Sequence, residues 1–215
     1  DEIATSDRGS FASKAELLDE LYEIYAHKLD QKDLAFWVLI AKQQDYPKVD
    51  QALCARLESL ATETNNWTAL LANYRTWAET KEVYVDFLLE LGVLFAEKQQ
   101  NYDGAIWAFE QTLGMDPHCH TARLLLTDCL RAQGRSLEQA KQLEELVDRV
   151  KEQDPTHWLF ELGTIYEFEL QDTSQARRSY EELLHMHPEH QGAFLALERL
   201  YKQGLSWDKL KNLWD

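Results

Sequence analysis

Residues 90–117, ELGVLFAEKQQNYDGAIWAFEQTLGMDP, recur in altered form as residues 161–188, ELGTIYEFELQDTSQARRSYEELLHMHP. The two stretches align without a gap at an offset of 71 residues, and both open with Glu, Leu and Gly. Within them Ala105 matches Ala176, and Pro117 matches Pro188. Because glycine, alanine, an aromatic residue and proline all keep step over 28 residues, the pattern indicates an internal repeat.

The spacing of alanine and proline occurs a third time near the N-terminus, where Pro47 follows Ala35. Ala35 lies 70 residues before Ala105, and Ala140 lies near the middle of the next interval, so the underlying period is about 35 residues. We expect residues 1–12 to be a flexible N-terminal segment and residues 13–215 to form one repeat domain. The predicted units are 13–47, 49–80, 82–117, 119–154, 155–188 and 190–215.

Each unit has the periodicity of two amphipathic helices. Leu91, Leu94 and Phe95 lie at i, i+3 and i+4 on one helical face, and the residues 71 positions later repeat this arrangement. Only four prolines and eight glycines interrupt the chain, which favours long helices over short strands. The sequence therefore predicts an all-α fold with helices near 13–28, 31–45, 49–63, 67–80, 82–99, 103–115, 119–133, 137–152, 155–170, 173–186, 190–203 and 207–215.

The Leu-Gly-x-x-aromatic motif at 91–95, followed by Ala105-x-x-x-Phe109 and Pro117, resembles the tetratricopeptide repeat, and residues 162–188 match that pattern again. The stretch QARRSYEELL is also similar to the half-a-TPR repeats of RNA-processing scaffolds. Both families stack antiparallel helical hairpins. The resemblance implies a right-handed superhelical solenoid of about five to six repeats.

The charge of the chain limits what it can bind. It carries 38 acidic and 22 basic side chains, for a net charge of −16. Such a charge repels nucleic acid phosphates, so we expect no direct nucleic acid binding. No apolar run approaches the roughly 20 residues that a membrane span needs. The three cysteines form no paired motif and no signal peptide is visible, so we expect a cytoplasmic protein with reduced thiols.

Two histidine-rich stretches raise the alternative of a metal-dependent enzyme. DPHCHT at 116–121 and HMHPEH at 185–190 contain residue types that zinc prefers. Both stretches follow the repeat proline, however, and their ligand types do not align, since Cys119 matches His190. We therefore expect exposed loop histidines, no metal site and no cofactor. Because nucleotide-binding, hydrolase and zinc-protease motifs are also absent from the sequence, we expect no enzyme.

The leading hypothesis is a scaffold for protein–protein interaction. In the tetratricopeptide arrangement, the first helix of each unit lines a concave groove that binds a peptide or a helical segment of a partner. The resemblance implies a groove that mixes apolar and acidic groups and favours a basic or amphipathic segment. Its expected residues are Asp86, Leu89, Val93, Glu97, Asp128, Arg131, His157, Phe160, Thr164, Glu167 and Arg199.

Two further expectations stay open on the sequence alone. The half-a-TPR resemblance implies a scaffold subunit of an RNA-processing complex, joined to it through proteins. At the C-terminus, Leu210, Leu213 and Trp214 form an apolar stripe with no further helix to cover it. We expect either that the chain is a fragment of a longer repeat protein or that its C-terminal end is covered by self-association or another molecule.

Overall fold

A computed structural model describes residues 14–45, 50–149 and 154–214, and these residues form helices without a β-strand. The predicted all-α helical repeat is thereby confirmed. The N-terminal segment 1–12 and Pro47 lie outside the described residues. The α-helices are α1 (Lys14–Glu23), α2 (Lys32–Gln43), α3 (Gln51–Thr64), α4 (Trp67–Thr80), α5 (Val85–Gln99), α6 (Tyr102–Met115), α7 (His120–Ala132), α8 (Ser136–Arg149), α9 (Thr156–Thr164), α10 (Thr173–Met186), α11 (Gln191–Gln203) and α12 (Trp207–Trp214).

The chain divides into two compact units, residues 1–101 and residues 102–215. In the first unit α1 to α5 pack in chain order, each on the next, and in the second unit α6 to α12 do the same. The predicted repeat 82–117 spans the boundary between the two units, and the division into six repeats stays a prediction.

The turn inside each helical pair has the same backbone conformation. One residue per turn takes a left-handed conformation, with φ between 50° and 68°. Most of these residues are not glycine, so the positions of glycine in the sequence do not predict these turns. In the last turn the left-handed residue is Leu205, the neighbour of Gly204. The six positions lie 34 to 37 residues apart: Asp30, Asn65, Gln100, Gly134, Gln171 and Leu205.

Two first helices end in a wider, π-helical turn. Ile24–Lys28 continues α1, and Ile165–Glu169 continues α9. The two turns close with equivalent hydrogen bonds, from the Leu29 N–H to the Ile24 carbonyl at 2.9 Å and from the Leu170 N–H to the Ile165 carbonyl at 3.0 Å. A π-helical turn rotates the side chains that follow it, and such turns are frequent at functional sites.

The second helix of each pair presents one buried position to its neighbours. The aligned alanines Ala105 and Ala176 have no exposed surface, as the repeat register predicts. Leucine replaces alanine at this position in the second and last predicted repeats. All six side chains are 0–2% exposed: Ala35, Leu70, Ala105, Ala140, Ala176 and Leu210.

Gly163 and Tyr180 hold α9 against α10 in the second unit. The Tyr180 ring lies so close that a Cβ atom on Gly163 would fall 2.4 Å from its Cε1 atom. The ring is buried and its hydroxyl donates to Glu167 Oε2 at 3.2 Å. The repeat glycine, which has no side chain, therefore leaves the space that the repeat aromatic ring occupies.

The last helix has one buried side and one exposed side. Leu210 is buried in the core of the second unit and Leu213 packs partly against it, whereas Trp207 and Trp214 are each 58% exposed. Lys202 Nζ lies 5.8 Å from the centre of the Trp214 ring. What covers this surface stays a prediction.

Candidate functional site

The first helices of the second unit bring four of the predicted groove residues together. Arg131 of α7 and the α9 residues His157, Phe160 and Thr164 line one hollow of about 310 Å³. The same hollow includes the side chain of Glu161. These residues thus share one hollow between α7 and α9, and their role in a partner groove stays a prediction.

Glu161 organises this hollow, which we call the α9 hollow. Its Oε1 atom accepts hydrogen bonds from Arg131 Nε at 3.1 Å and from Gln139 Nε2 at 2.9 Å, and Arg131 Nη2 pairs with the same oxygen. His157 Nε2 lies 3.8 Å from the other oxygen. Arg131 also pairs with Asp128 at 3.1 Å, so one guanidinium serves two carboxylates.

A second ion pair continues the same face toward α11. Arg199 donates from Nε and Nη2 to Glu167 Oε1, at 2.8 Å and 2.6 Å, and its guanidinium lies 5.3 Å from the centre of the Phe168 ring. The Glu167 side chain is only 7% exposed, and its other oxygen accepts a hydrogen bond from the Tyr180 hydroxyl. Burial raises the pKa of Tyr180 to about 12, so its hydroxyl stays protonated and remains a donor at neutral pH.

Three polar residues of the α9 hollow were missed by the prediction: Gln139, Glu161 and Glu169. The sequence contains a signal for Glu161, since the two aligned stretches open with Glu90 and Glu161. Glu169 has no such signal because it lies in the π-helical turn, where its carboxylate accepts from the Ser136 hydroxyl. A regular helical register does not predict that position.

The predicted residues of α5 belong to the first unit. Asp86 and Glu97 are exposed, and Leu89 and Val93 are half-buried. The structure does not gather them into a described hollow, and their role in a groove stays a prediction. The concave surface of this unit instead uses another face of α5.

In the first unit a hollow of about 190 Å³ lies between α3 and α5, and we call it the α3–α5 hollow. Two carboxylates, Glu58 and Glu90, face into it, and none of its lining residues is a cation. The rings of Tyr84 and Phe87 are part of its wall, and Tyr74 lies buried beneath it. The arrangement offers negative charge beside aromatic surface.

The electrostatics of the α3–α5 hollow follow from burial and like charge. Burial first, and then the charge of Glu90, raise the pKa of the Glu58 carboxyl. Burial also raises the pKa of the Cys54 thiol to about 11. The thiol is therefore protonated at neutral pH.

The histidines of the two loops have local contacts in the described structure. His190 Nδ1 accepts from the Ala193 N–H at 3.1 Å and so caps the start of α11. His187 Nε2 lies 3.1 Å from Asp154 Oδ1, and His118 Nδ1 lies 3.4 Å from Arg149 Nη1. No group of three or more metal-ligating side chains occurs among the described residues.

The described helices include none that is both long and apolar enough to cross a membrane.

Comparison with known proteins identifies the repeat. Models of the tetratricopeptide repeat match residues 96–157 and residues 159–190. The resemblance seen in the sequence is therefore confirmed over these residues. The first match includes the predicted unit 119–154, which spacing indicates more strongly than motif. Tetratricopeptide repeats support a protein–protein interaction scaffold as the kind of function.

Several solved structures are similar at low identity. A crystal structure of MamA is 14% identical, with 71% of this chain and 87% of that chain covered and a TM-score of 0.49. YrrB, described as a TPR protein with an unusual peptide-binding site, is 14% identical, with 85% and 91% covered and a TM-score of 0.46. MamA from Desulfovibrio magneticus RS-1 is 14% identical, with 95% and 97% covered and a TM-score of 0.43. No curated protein sequence matches the chain.

Proposed function

We propose, from the premise that the chain carries tetratricopeptide repeats, that it is an interaction scaffold whose first-helix faces bind a basic or amphipathic segment of another protein. The observation that carries the proposal is the excess of carboxylates in the hollows of both units. The α3–α5 hollow has two carboxylates and no cation in its lining. Charge complementarity of this kind favours a basic partner and disfavours an acidic one.

The cations of the second unit strengthen the argument. Arg131 is paired with Asp128 and Glu161, and Arg199 is paired with Glu167. An acidic segment would have to displace these carboxylates before it could use either guanidinium, and displacement leaves buried charge without a partner. A basic segment meets no such competition from the remaining carboxylate, Glu169, which accepts only from a serine hydroxyl among its described contacts.

The α3–α5 hollow has the chemistry to accept one lysine or arginine side chain. The apolar stem of such a side chain can lie against Tyr84 and Phe87, while its charged head reaches Glu58 and Glu90. A bound cation would also lower the raised pKa of Glu58. Binding should therefore weaken as the pH falls and Glu58 becomes protonated.

The test uses two matched helical peptides. One presents leucines on one face and lysines on the other, and its counterpart has every lysine replaced by glutamate. Fluorescence anisotropy with the full chain should show binding of the lysine peptide alone. Glu58→Gln and Glu90→Gln should each weaken that binding by about tenfold (~1.4 kcal/mol).

Glu79→Gln is the control variant. It removes the same charge from the exposed Glu79–Arg75 pair on α4, away from the hollow, and should leave the affinity nearly unchanged. Equal weakening by Glu79→Gln and Glu58→Gln would mean that only net charge attracts the peptide, and the proposed site would be wrong. Preferential binding of the glutamate peptide would overturn the proposal outright.

A cytoplasmic location is part of the same proposal, and the three free cysteines support it. Capture of partners from a lysate with and without nuclease would distinguish a protein partner from an RNA-processing assembly held together by RNA. Loss of every partner under nuclease treatment would favour the RNA-processing alternative.

A further inference from the structure

A second pocket of the first unit lies on the second helices α2 and α4, and its lining residues differ from those of the α3–α5 hollow. It has a volume of about 160 Å³, far more than the roughly 10–15 Å³ that one water molecule needs. Exposed side chains, including Thr80 and Lys81, form its rim. Gln43, Asn73 and Trp77 lie deeper in its wall.

Four polar atoms of these three side chains are buried and have no hydrogen-bond partner among the residues that the structure describes. Gln43 is 1% exposed and Trp77 is 4% exposed. The atoms without a hydrogen bond are Gln43 Nε2, Gln43 Oε1, Asn73 Oδ1 and Trp77 Nε1. Buried polar groups in folded proteins are nearly always paired, and each exception calls for an explanation. Four such atoms around one pocket point to a group that enters from outside.

The unpaired atoms specify the chemistry of that group. Gln43 Nε2 and Trp77 Nε1 are donors, whereas Gln43 Oε1 and Asn73 Oδ1 are acceptors. The ligand must therefore supply two donors and two acceptor sites together. A carboxylate supplies no donor, an ammonium group supplies no acceptor, and an aliphatic group supplies neither.

A primary carboxamide meets these requirements. Its NH₂ group has two hydrogens and its carbonyl oxygen has two lone pairs. It can pair with the Gln43 amide through two hydrogen bonds, while its second hydrogen reaches Asn73 Oδ1 and its second lone pair accepts from Trp77 Nε1.

We propose that this pocket, which we call the amide pocket, binds the side-chain carboxamide of an asparagine or glutamine residue from a partner protein. The site has lining residues different from those of the α3–α5 hollow and is tested by different variants. Failure of one proposal therefore leaves the other standing.

The probe is propionamide, a small primary carboxamide, added to the ¹⁵N-labelled full chain. The readout is the indole N–H signal of Trp77 in the ¹H–¹⁵N spectrum, identified by its loss in Trp77→Phe. Propionamide should shift this signal in a saturable manner. Butanone has nearly the same shape but has a methyl group in place of NH₂, and it should produce no saturable shift.

Gln43→Leu should abolish the saturable shift, because it removes a donor and an acceptor at similar volume. Gln203→Leu makes the same change at an exposed position on α11 and should leave binding unaltered. If Gln43→Leu does not fold, Trp77→Phe serves instead, with the backbone N–H of Asn73 as readout and an expected loss of affinity of fivefold or more.

The alternative occupant is water alone. In that case propionamide and butanone would give equal, non-saturating shifts, unchanged by the variants, and the proposal would be wrong. Saturable binding of butanone that equals binding of propionamide would also overturn it, since the pocket would then recognise shape without the amide.

Discussion

Gly163→Ala should destabilise the second unit, although alanine is the better helix former. The new Cβ atom would lie 2.4 Å from Cε1 and 2.7 Å from Cδ1 of Tyr180, far inside van der Waals contact. The ring cannot retreat easily, because it is buried and its hydroxyl is bonded to Glu167. Overpacking of this kind costs about 1–3 kcal/mol, which exceeds the gain of about 1 kcal/mol from replacing glycine in a helix.

The assay is urea unfolding followed by circular dichroism, with Gly114→Ala as the matched control. Gly114 is also helical but has open space where its Cβ would go, so this variant should gain up to about 1 kcal/mol. In a Tyr180→Leu background the ring is absent, and Gly163→Ala should become stabilising there. A Gly163→Ala variant as stable as the parent, or a loss that persists without the ring, would refute the reasoning.

Three further changes test the fold and its charges. Ala176→Leu places a larger side chain at a position with no exposed surface and should lower the unfolding free energy by about 1–3 kcal/mol; an unchanged urea midpoint would mean that the repeat register is wrong. Leu205→Gly should raise the unfolding free energy by about 0.5–1 kcal/mol, because Leu205 has φ 51° and only glycine adopts that conformation without cost. Thermal unfolding measures the change in stability, and a loss of stability would contradict the prediction. Glu58→Gln should stabilise the chain at pH 7, because the pKa of the Glu58 carboxyl is raised in the folded state, so that the stability of the parent falls as the pH rises from the ordinary pKa of 4.5 through the folded value. Urea unfolding should show that the variant and the parent have the same stability below pH 4.5. A stability difference that stays constant at all pH values would contradict the prediction.

Much of the fold could be predicted because most of the repeats place the same small, buried residue at the same helix contact. A buried alanine that must recur every 35 residues or so leaves a periodic trace in the sequence, and Ala35, Ala105, Ala140 and Ala176 all carry that trace. The left-handed turns leave almost no trace, because residues as different as Gln100 and Leu205 occupy them. There the surrounding hydrogen bonds, not the intrinsic preference of the side chain, determine the backbone.

The candidate site was predicted less well, for a physical reason. The tetratricopeptide resemblance implied a groove with His157, Phe160, Thr164 and Arg131, and these four residues line one hollow, although their role in binding stays a prediction. It could not indicate Glu169, because a π-helical turn changes the register within one helix. Nor did it indicate the α3–α5 hollow, because Glu90, which lines that hollow, lies on another face of α5 from the predicted residue Leu89.

The two acidic hollows should contribute unequally to partner binding. A partner guanidinium that approaches Glu161 must compete with Arg131 and Gln139, which already bond to that carboxylate, so any gain there is offset by a broken ion pair. At the α3–α5 hollow no lining cation must be displaced. Lys98 lowers the pKa of Glu58, but it does not line the hollow, and its Nζ atom lies 5.2 Å from the centre of the Trp67 ring. A bound cation would instead relieve the repulsion between Glu58 and Glu90. Electrostatic affinity should therefore come mainly from the first unit, while the paired residues of the second unit discriminate against acidic segments.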